Sequence, residues 1–146
     1  MRAQFEIGFA DVDYARVLYF ARYYDFVGRA FAAWLHARGW YFRDLHTQWQ
    51  IATPIVESHC RYRGPLRLED RCEVRLALTD LSPRGFRLAF HIVRLPDEAR
   101  VAEGYTDHRF VDPTERRPAA PPSEFYRALE AMAAESAGHL ATPPSA

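Results

Sequence analysis

Between Tyr19 and Arg38 the chain sets Phe20, Tyr24, Val27, Phe31 and Trp34 along one line of a helical projection, and Tyr23, Phe26, Ala30, Ala33 and Ala37 along another. This period predicts a helix of about five turns, with Gly39 where a left-handed cap would end it. Only Arg22, Asp25, Arg29 and His36 make a polar stripe. A helix that is apolar or small-residued around most of its circumference has to be buried on most sides. The rest of the chain must therefore wrap it.

Five segments read as strands. Residues 4–9 alternate, with Phe5, Ile7 and Phe9 on one side and Gln4, Glu6 and Gly8 on the other. Residues 51–63, 71–81, 84–95 and 100–111 follow the helix, and 71–81 alternates most regularly, with Cys72, Val74, Leu76 and Leu78 inward. Gly64-Pro65, Ser82-Pro83 and Pro96-Asp97 mark short turns, so neighbouring strands are expected to pair antiparallel. The expected class is α+β: a five-stranded antiparallel sheet around one long central helix. Past a Pro-rich stretch, Ser123 caps a short C-terminal helix to about residue 134, with Phe125, Tyr126, Leu129 and Met132 on one side. We expect a single domain over residues 1–135 and a flexible tail over 136–146.

Composition removes several function classes. A chain of 146 residues buries enough core to need no metal or disulfide. Nineteen basic residues balance nineteen acidic ones, so no positive excess supports a nucleic-acid or membrane partner. Cys60 and Cys72 form no CxxC and no metal cluster. No apolar run approaches the ~18 residues of a membrane span, and a cytoplasmic protein is expected. Every basic residue is arginine, and lysine and asparagine are absent. GC-rich coding explains both absences; the functional alternative is phosphate recognition by Arg forks.

The connection Phe9-Ala-Asp11-Val-Asp13-Tyr-Ala-Arg16-Val-Leu-Tyr19-Phe20 is where polar chemistry meets the buried helix. Extended backbone would put both carboxylates on one side. Either one of them caps the helix or one is a catalyst, and the residues alone leave both open.

The string from Ile7 to Tyr23 resembles the signature of the 4-hydroxybenzoyl-CoA thioesterase family, F-x-D-x-D-x-x-G-[IV]-V-[WY]-[YFH]-x-x-[YF]. Three further segments match in order: Ile51-Ala-Thr-Pro-Ile-Val-Glu57, Pro65-Leu-Arg-Leu-Glu-Asp70 and Ser82-Pro-Arg-Gly-Phe86. The resemblance covers about residues 5–111. It implies the hotdog fold, a sheet curled around a long helix, and hydrolysis of an acyl-CoA thioester. Asp13 matches the family's catalytic carboxylate, which attacks the thioester carbonyl or activates water against it. The backbone N–H of Phe20 would hold the oxyanion, and Tyr19 and Tyr23 would shape the acyl pocket. Arg84 matches a basic position near the nucleotide end of CoA, and Thr53 and Gly85, in the matching segments, are expected at the substrate as well. No cofactor is implied beyond the CoA of the substrate. A homodimer or homotetramer is, with the active site at the dimer seam.

The family's glycine is Arg16 here, so either the loop takes a different path or a guanidinium enters the site. The histidine that a related subgroup carries at the Phe20 position is absent. A rerouted loop would leave a non-catalytic acyl-CoA or acyl-carrier binding protein; a hotdog dehydratase is disfavoured because no histidine lies near the helix start. Asp25 and Arg29 read as a helix-surface pair, Asp25 being alternatively the helix-borne carboxylate of other hotdog thioesterases. Glu57 and His59 point outward on their strand. The remaining histidines show no metal-ligand spacing, and Arg61, Arg63, Arg87 and Arg109 are weaker phosphate candidates.

Overall fold

The computed structural model describes residues 1–140. Strand β1 (Arg2–Glu6) leads through a 3-10 turn (Phe9–Asp11) to helix α1 (Arg22–His36) and a short helix α2 (Phe42–Thr47). Strands β2 (Ile55–Tyr62), β3 (Arg71–Ser82), β4 (Gly85–Leu95) and β5 (Arg100–Arg109) follow, then helix α3 (Ser123–Ser136). All pairings are antiparallel, in the order β1-β3-β4-β5-β2. This is the expected α+β hotdog arrangement, and its core lies between sheet and α1.

Inward residues of β3 and β4, such as Val74, Leu76, Leu88 and Phe90, meet Phe26, Phe31, Trp34 and Leu35 of α1, all at most 3% exposed. Each such side chain stabilises the fold by about 1.5–3 kcal/mol relative to remaining in water. The wrapping is one-sided: Asp25, Gly28, Arg29, Ala33 and His36 face outward. The expectation that α1 is buried on most sides is corrected, because Gly28 and Ala33 are too small to demand cover.

Both ends of α1 fall short of the expected span. The chain is still tied to the preceding loop at Tyr19, whose N–H donates to Asp11 O at 2.9 Å. At the other end Gly39 adopts φ +78°, as its position predicts. Strand β1 stops early because the 3-10 turn swings Phe9 into solvent. Strand β2 starts at Ile55 and not at 51, since Ile51 N–H bonds back to Leu45 O at 3.0 Å and Ala52 pairs only with Val111. Helix α2 was not foreseen, although Phe42 and Leu45 have helical spacing and Asp44 stands in its first turn.

The sheet's flanks are protected unequally. Beyond β1, the free flank of β3 is closed by Met1, whose carbonyl accepts Leu76 N–H at 2.8 Å, and by Ser136 Oγ, which accepts Leu78 N–H at 3.0 Å. Ser136 is fully buried, so the expected tail does not begin there; its residues 141–146 lie outside the described residues. Strand β2 is the longer open edge, with Ile55, Val56 and Tyr62 each more than 40% exposed. Among the described residues no helix is long and apolar enough to cross a membrane.

Candidate active site

Asp11 and Asp13 have different surroundings. Asp11 Oδ2 accepts Gly8 N–H at 2.8 Å, and Oδ1 lies 3.7 Å from Arg22 Nε. Arg22 also donates to Ala10 O at 3.1 Å. Asp11 is thus the cap of the 3-10 turn and a brace to the first residue of α1.

Asp13 starts a tight hairpin. Its N–H donates to Val17 O and its carbonyl accepts Arg16 N–H, both at 2.9 Å, while Val12 and Leu18 pair below. Its Oδ1 accepts Ala15 N–H at 2.8 Å, leaving Oδ2 without a protein partner among the described residues. The turn ends on Arg16 at φ +64°, the left-handed position usually given to glycine. A glycine would take this backbone readily, so the arginine does not by itself require a rerouted loop. The Arg16 side chain is exposed and does not line the cleft beside Asp13.

The hairpin is anchored from outside. Leu18 N–H donates to Leu66 O at 2.7 Å. Asp70, in a segment that carried the resemblance, accepts Arg67 N–H on its carboxylate at 2.7 Å and Ile7 N–H on its carbonyl at 2.9 Å. Asp70 therefore holds the turn that supports Leu18.

Asp13, Tyr19, Phe20 and Tyr23 line one cleft of about 640 Å³ with Tyr62 and Gly64. The two peptides that flank the Phe20 Cα are each held by one hydrogen bond. Tyr19 O accepts Arg22 N–H at 2.8 Å, and Phe20 O accepts the Tyr62 hydroxyl at 3.2 Å. The Phe20 N–H itself has no acceptor among the described residues, which leaves it free for a ligand. Tyr23 is 3% exposed and meets the Tyr62 ring edge-on at 5.0 Å. Burial pushes its phenol up to about 12, with Cys60 and Cys72 nearby, so Tyr23 is a neutral wall.

Sequence reasoning missed Tyr62 and the Arg63-Gly64-Pro65 backbone. The alternation of β2 held the signal, since Tyr62 shares the inward phase of Cys60 opposite Ala102 and Gly104.

Three expected substrate residues lie elsewhere in the chain. Arg84 and Gly85 flank a separate cleft of about 400 Å³ with Asp80, Arg87, Asp107 and Arg109. Arg87 is held by Asp107 at 2.6 and 2.8 Å, whereas the Arg84 guanidinium has no carboxylate partner among the described residues. Gly85 has a packing reason: a Cβ there would stand 2.0 Å from His108 O. Thr53 gives its carbonyl to His108 Nδ1 at 2.9 Å and lines a third cleft beside Phe42 and His46. Within one chain the Asp13 cleft contains none of the three.

The other polar residues take structural positions. Asp25 lies between Arg22 and Arg29, 3.9 Å from each. Glu57 accepts the Tyr105 hydroxyl at 2.5 Å, and His59 stacks on the same ring. Arg63 pairs with Glu103. Among the described residues no three His, Cys, Asp or Glu side chains group as metal ligands.

A carboxylate with one free oxygen and an unbonded N–H at a helix entrance, in one apolar-walled cleft, make a site suited to acyl transfer. The chain belongs to the thioesterase-like superfamily, whose sequence pattern matches residues 7–129, and is a thioester hydrolase. It is 30% identical over 130 residues to a 1,4-dihydroxy-2-naphthoyl-CoA hydrolase of a Synechococcus species, covering 86% of both chains. A 1,4-dihydroxy-2-naphthoyl-CoA thioesterase from Synechocystis has the same fold, with a TM-score of 0.82 at 23% identity over 88% of this chain and 93% of that one. A gentisyl-coenzyme A thioesterase superposes with a TM-score of 0.76 at 23% identity over 86% of this chain and 98% of that one.

Proposed function

We propose that the protein hydrolyses the thioester of an aromatic or medium-chain acyl-CoA, with Asp13 as the reacting carboxylate and Phe20 N–H as the oxyanion donor. The observation that carries this reading is their common cleft, with Asp13 Oδ2 free while Oδ1 is fixed by Ala15. Asp13 either removes a proton from water as it attacks the carbonyl carbon, or attacks that carbon itself to form an anhydride that water then opens. In both routes the carbonyl oxygen becomes an oxyanion at Phe20 N–H, the C–S bond breaks, and CoA thiolate leaves to take up a proton. The named CoA ester hydrolases among the relatives support an acyl-CoA substrate. The aromatic walls Tyr19, Phe20, Tyr23 and Tyr62 support an aromatic acyl group.

The active form in this reading is a homodimer, or a homotetramer of two such dimers, joined along β2. That strand runs from Val56, beside Arg84 and Arg109, to Tyr62, beside Asp13. A second copy paired antiparallel along this edge brings its Val56 end to the first copy's Tyr62 end. Arg84 then stands near the other copy's Asp13 cleft, within reach of a CoA phosphate. Free Cys60 and Cys72 fit a cytoplasmic setting.

Turnover of benzoyl-, hydroxybenzoyl- and fatty acyl-CoA esters by the wild type and by Asp13→Asn tests the reading. The wild type should turn over at least one ester and the variant should lose that activity. A wild type inactive on all of them, or a fully active Asp13→Asn protein, refutes it.

A further inference from the structure

The Phe20 N–H can hold an oxyanion only if its peptide keeps one orientation, yet Phe20 precedes the first residue of α1 and its side chain is 58% exposed. Helical hydrogen bonding does not fix it. One restraint is local, Arg22 N–H to Tyr19 O at 2.8 Å. The other acts one peptide further on: from a strand 42 residues away the Tyr62 hydroxyl donates to Phe20 O at 3.2 Å, holding the Phe20–Ala21 peptide and through the Phe20 Cα limiting rotation of the peptide that carries the N–H. Edge-on contact with buried Tyr23 at 5.0 Å fixes the Tyr62 ring.

We propose that Tyr62 is a positioning residue for this thioesterase, fixing the Phe20 backbone so that its N–H points at the reacting carbonyl, with its ring serving as one wall of the acyl cleft. The inference rests on the reading of Asp13 and Phe20 given above. A phenol suits this task because it is a neutral donor, and burial beside Cys60 raises the Tyr62 hydroxyl above the ordinary tyrosine range. The bond therefore persists across the working pH range. It also links the oxyanion donor to β2, the open edge of the sheet.

Tyr62→Phe removes the hydroxyl and keeps the ring. With the best ester from the panel, kcat should fall about tenfold while KM stays within twofold, because the lost orientation matters where charge develops on the oxygen. The thermal midpoint and binding of a non-hydrolysable thioether analogue of the ester should be unchanged. Tyr62→Leu removes the wall as well, and should raise KM in addition. If Tyr62→Phe keeps kcat within twofold of wild type while Asp13→Asn is inactive, the positioning role is overturned and the Asp13 reading stands. If kcat, KM and thermal midpoint all shift together in Tyr62→Phe, the residue is structural and the proposal fails. An active Asp13→Asn protein would refute the Asp13 reading itself.

Discussion

The amide of Ala15 donates to Oδ1 of Asp13 at 2.8 Å, inside a hairpin whose backbone closes from Asp13 N–H to Val17 O at 2.9 Å. One carboxylate oxygen is thereby spent on geometry and the other remains for chemistry. Asp11, two residues earlier, spends both oxygens on Gly8 and Arg22.

This division separates the two carboxylates experimentally. Asp13→Asn keeps an oxygen for Ala15 N–H, so its fold should survive while kcat drops by about 10²–10⁴. Asp11→Ala should instead cost about 1–2 kcal/mol of stability by leaving Gly8 N–H without its acceptor. Paired kinetic and urea-denaturation measurements check both; the assignment fails if Asp11→Ala is the catalytically dead, stable protein.

Arg16 holds a left-handed backbone at φ +64°. That conformation costs a residue with a Cβ about 1–2 kcal/mol, and a glycine returns about 0.4–1 kcal/mol of it through the freer unfolded chain. Arg16→Gly should therefore stabilise the protein by about 0.5–1 kcal/mol, read as a higher urea midpoint. Since the side chain lies outside the cleft, kcat/KM should stay within twofold. A large loss of activity would restore Arg16 to the substrate site.

Arg84 and Arg87, three residues apart, should respond differently. Arg87 is fixed by Asp107 and stacks over Tyr105 with its guanidinium carbon 3.9 Å from the ring centre. Its removal should lower stability by about 1 kcal/mol, the pair being partly screened by solvent. Arg84 has no carboxylate to neutralise it among the described residues, so Arg84→Ala should leave stability unchanged and raise KM for CoA esters several-fold, with the difference shrinking at high salt. Equal KM values for Arg84→Ala and wild type, measured at low ionic strength, would remove Arg84 from the CoA site.

The strands, the central helix and the Asp13 loop are legible because each follows a local rule: period two, period 3.6, or an oxygen-bearing side chain at a turn. Residues 51–54 and helix α2 are not, because Ile51 is bound to Leu45 and Ala52 to Val111, contacts that no strand period contains. Tyr62 escaped notice for a related reason. Its bond to Phe20 spans 42 residues, and an aromatic at the end of a strand reads as core. Thr53 and Gly85 stand in matching strings without joining the Asp13 cleft, since a string match records neighbours in sequence and not which cleft a residue lines.

His108 is the buried base whose protonation the fold resists. It is 6% exposed and lies flat on Phe86 at 4.7 Å. Nδ1 faces the Thr53 carbonyl at 2.9 Å and so carries the proton, leaving Nε2 to accept from the Thr106 hydroxyl at 2.9 Å. Protonation would place a second donor against that hydroxyl, whose own proton would then have no acceptor among the described residues. Burial lowers the imidazole pKa below its ordinary 6.5, and the Thr53 carbonyl and Asp107 offset this only in part. The unfolded chain therefore binds this proton at higher pH than the folded one, so stability falls as pH drops below about 6.5, by at most ~1.4 kcal/mol per pH unit for one group. His91, also lowered chiefly by burial, acts in the same direction. Glu103, brought down to about 2 by its hydrogen bond from Arg63, loses its contribution only as pH falls below the ordinary carboxylate value near 4.5. Urea midpoints between pH 7.5 and 5.5 thus report the histidines apart from the carboxylates. Wild type should weaken over this range, and His108→Gln, which can donate to Thr53 and accept from Thr106 without titrating, should show a flatter curve. A slope identical to wild type would show that His108 is not the buried base responsible.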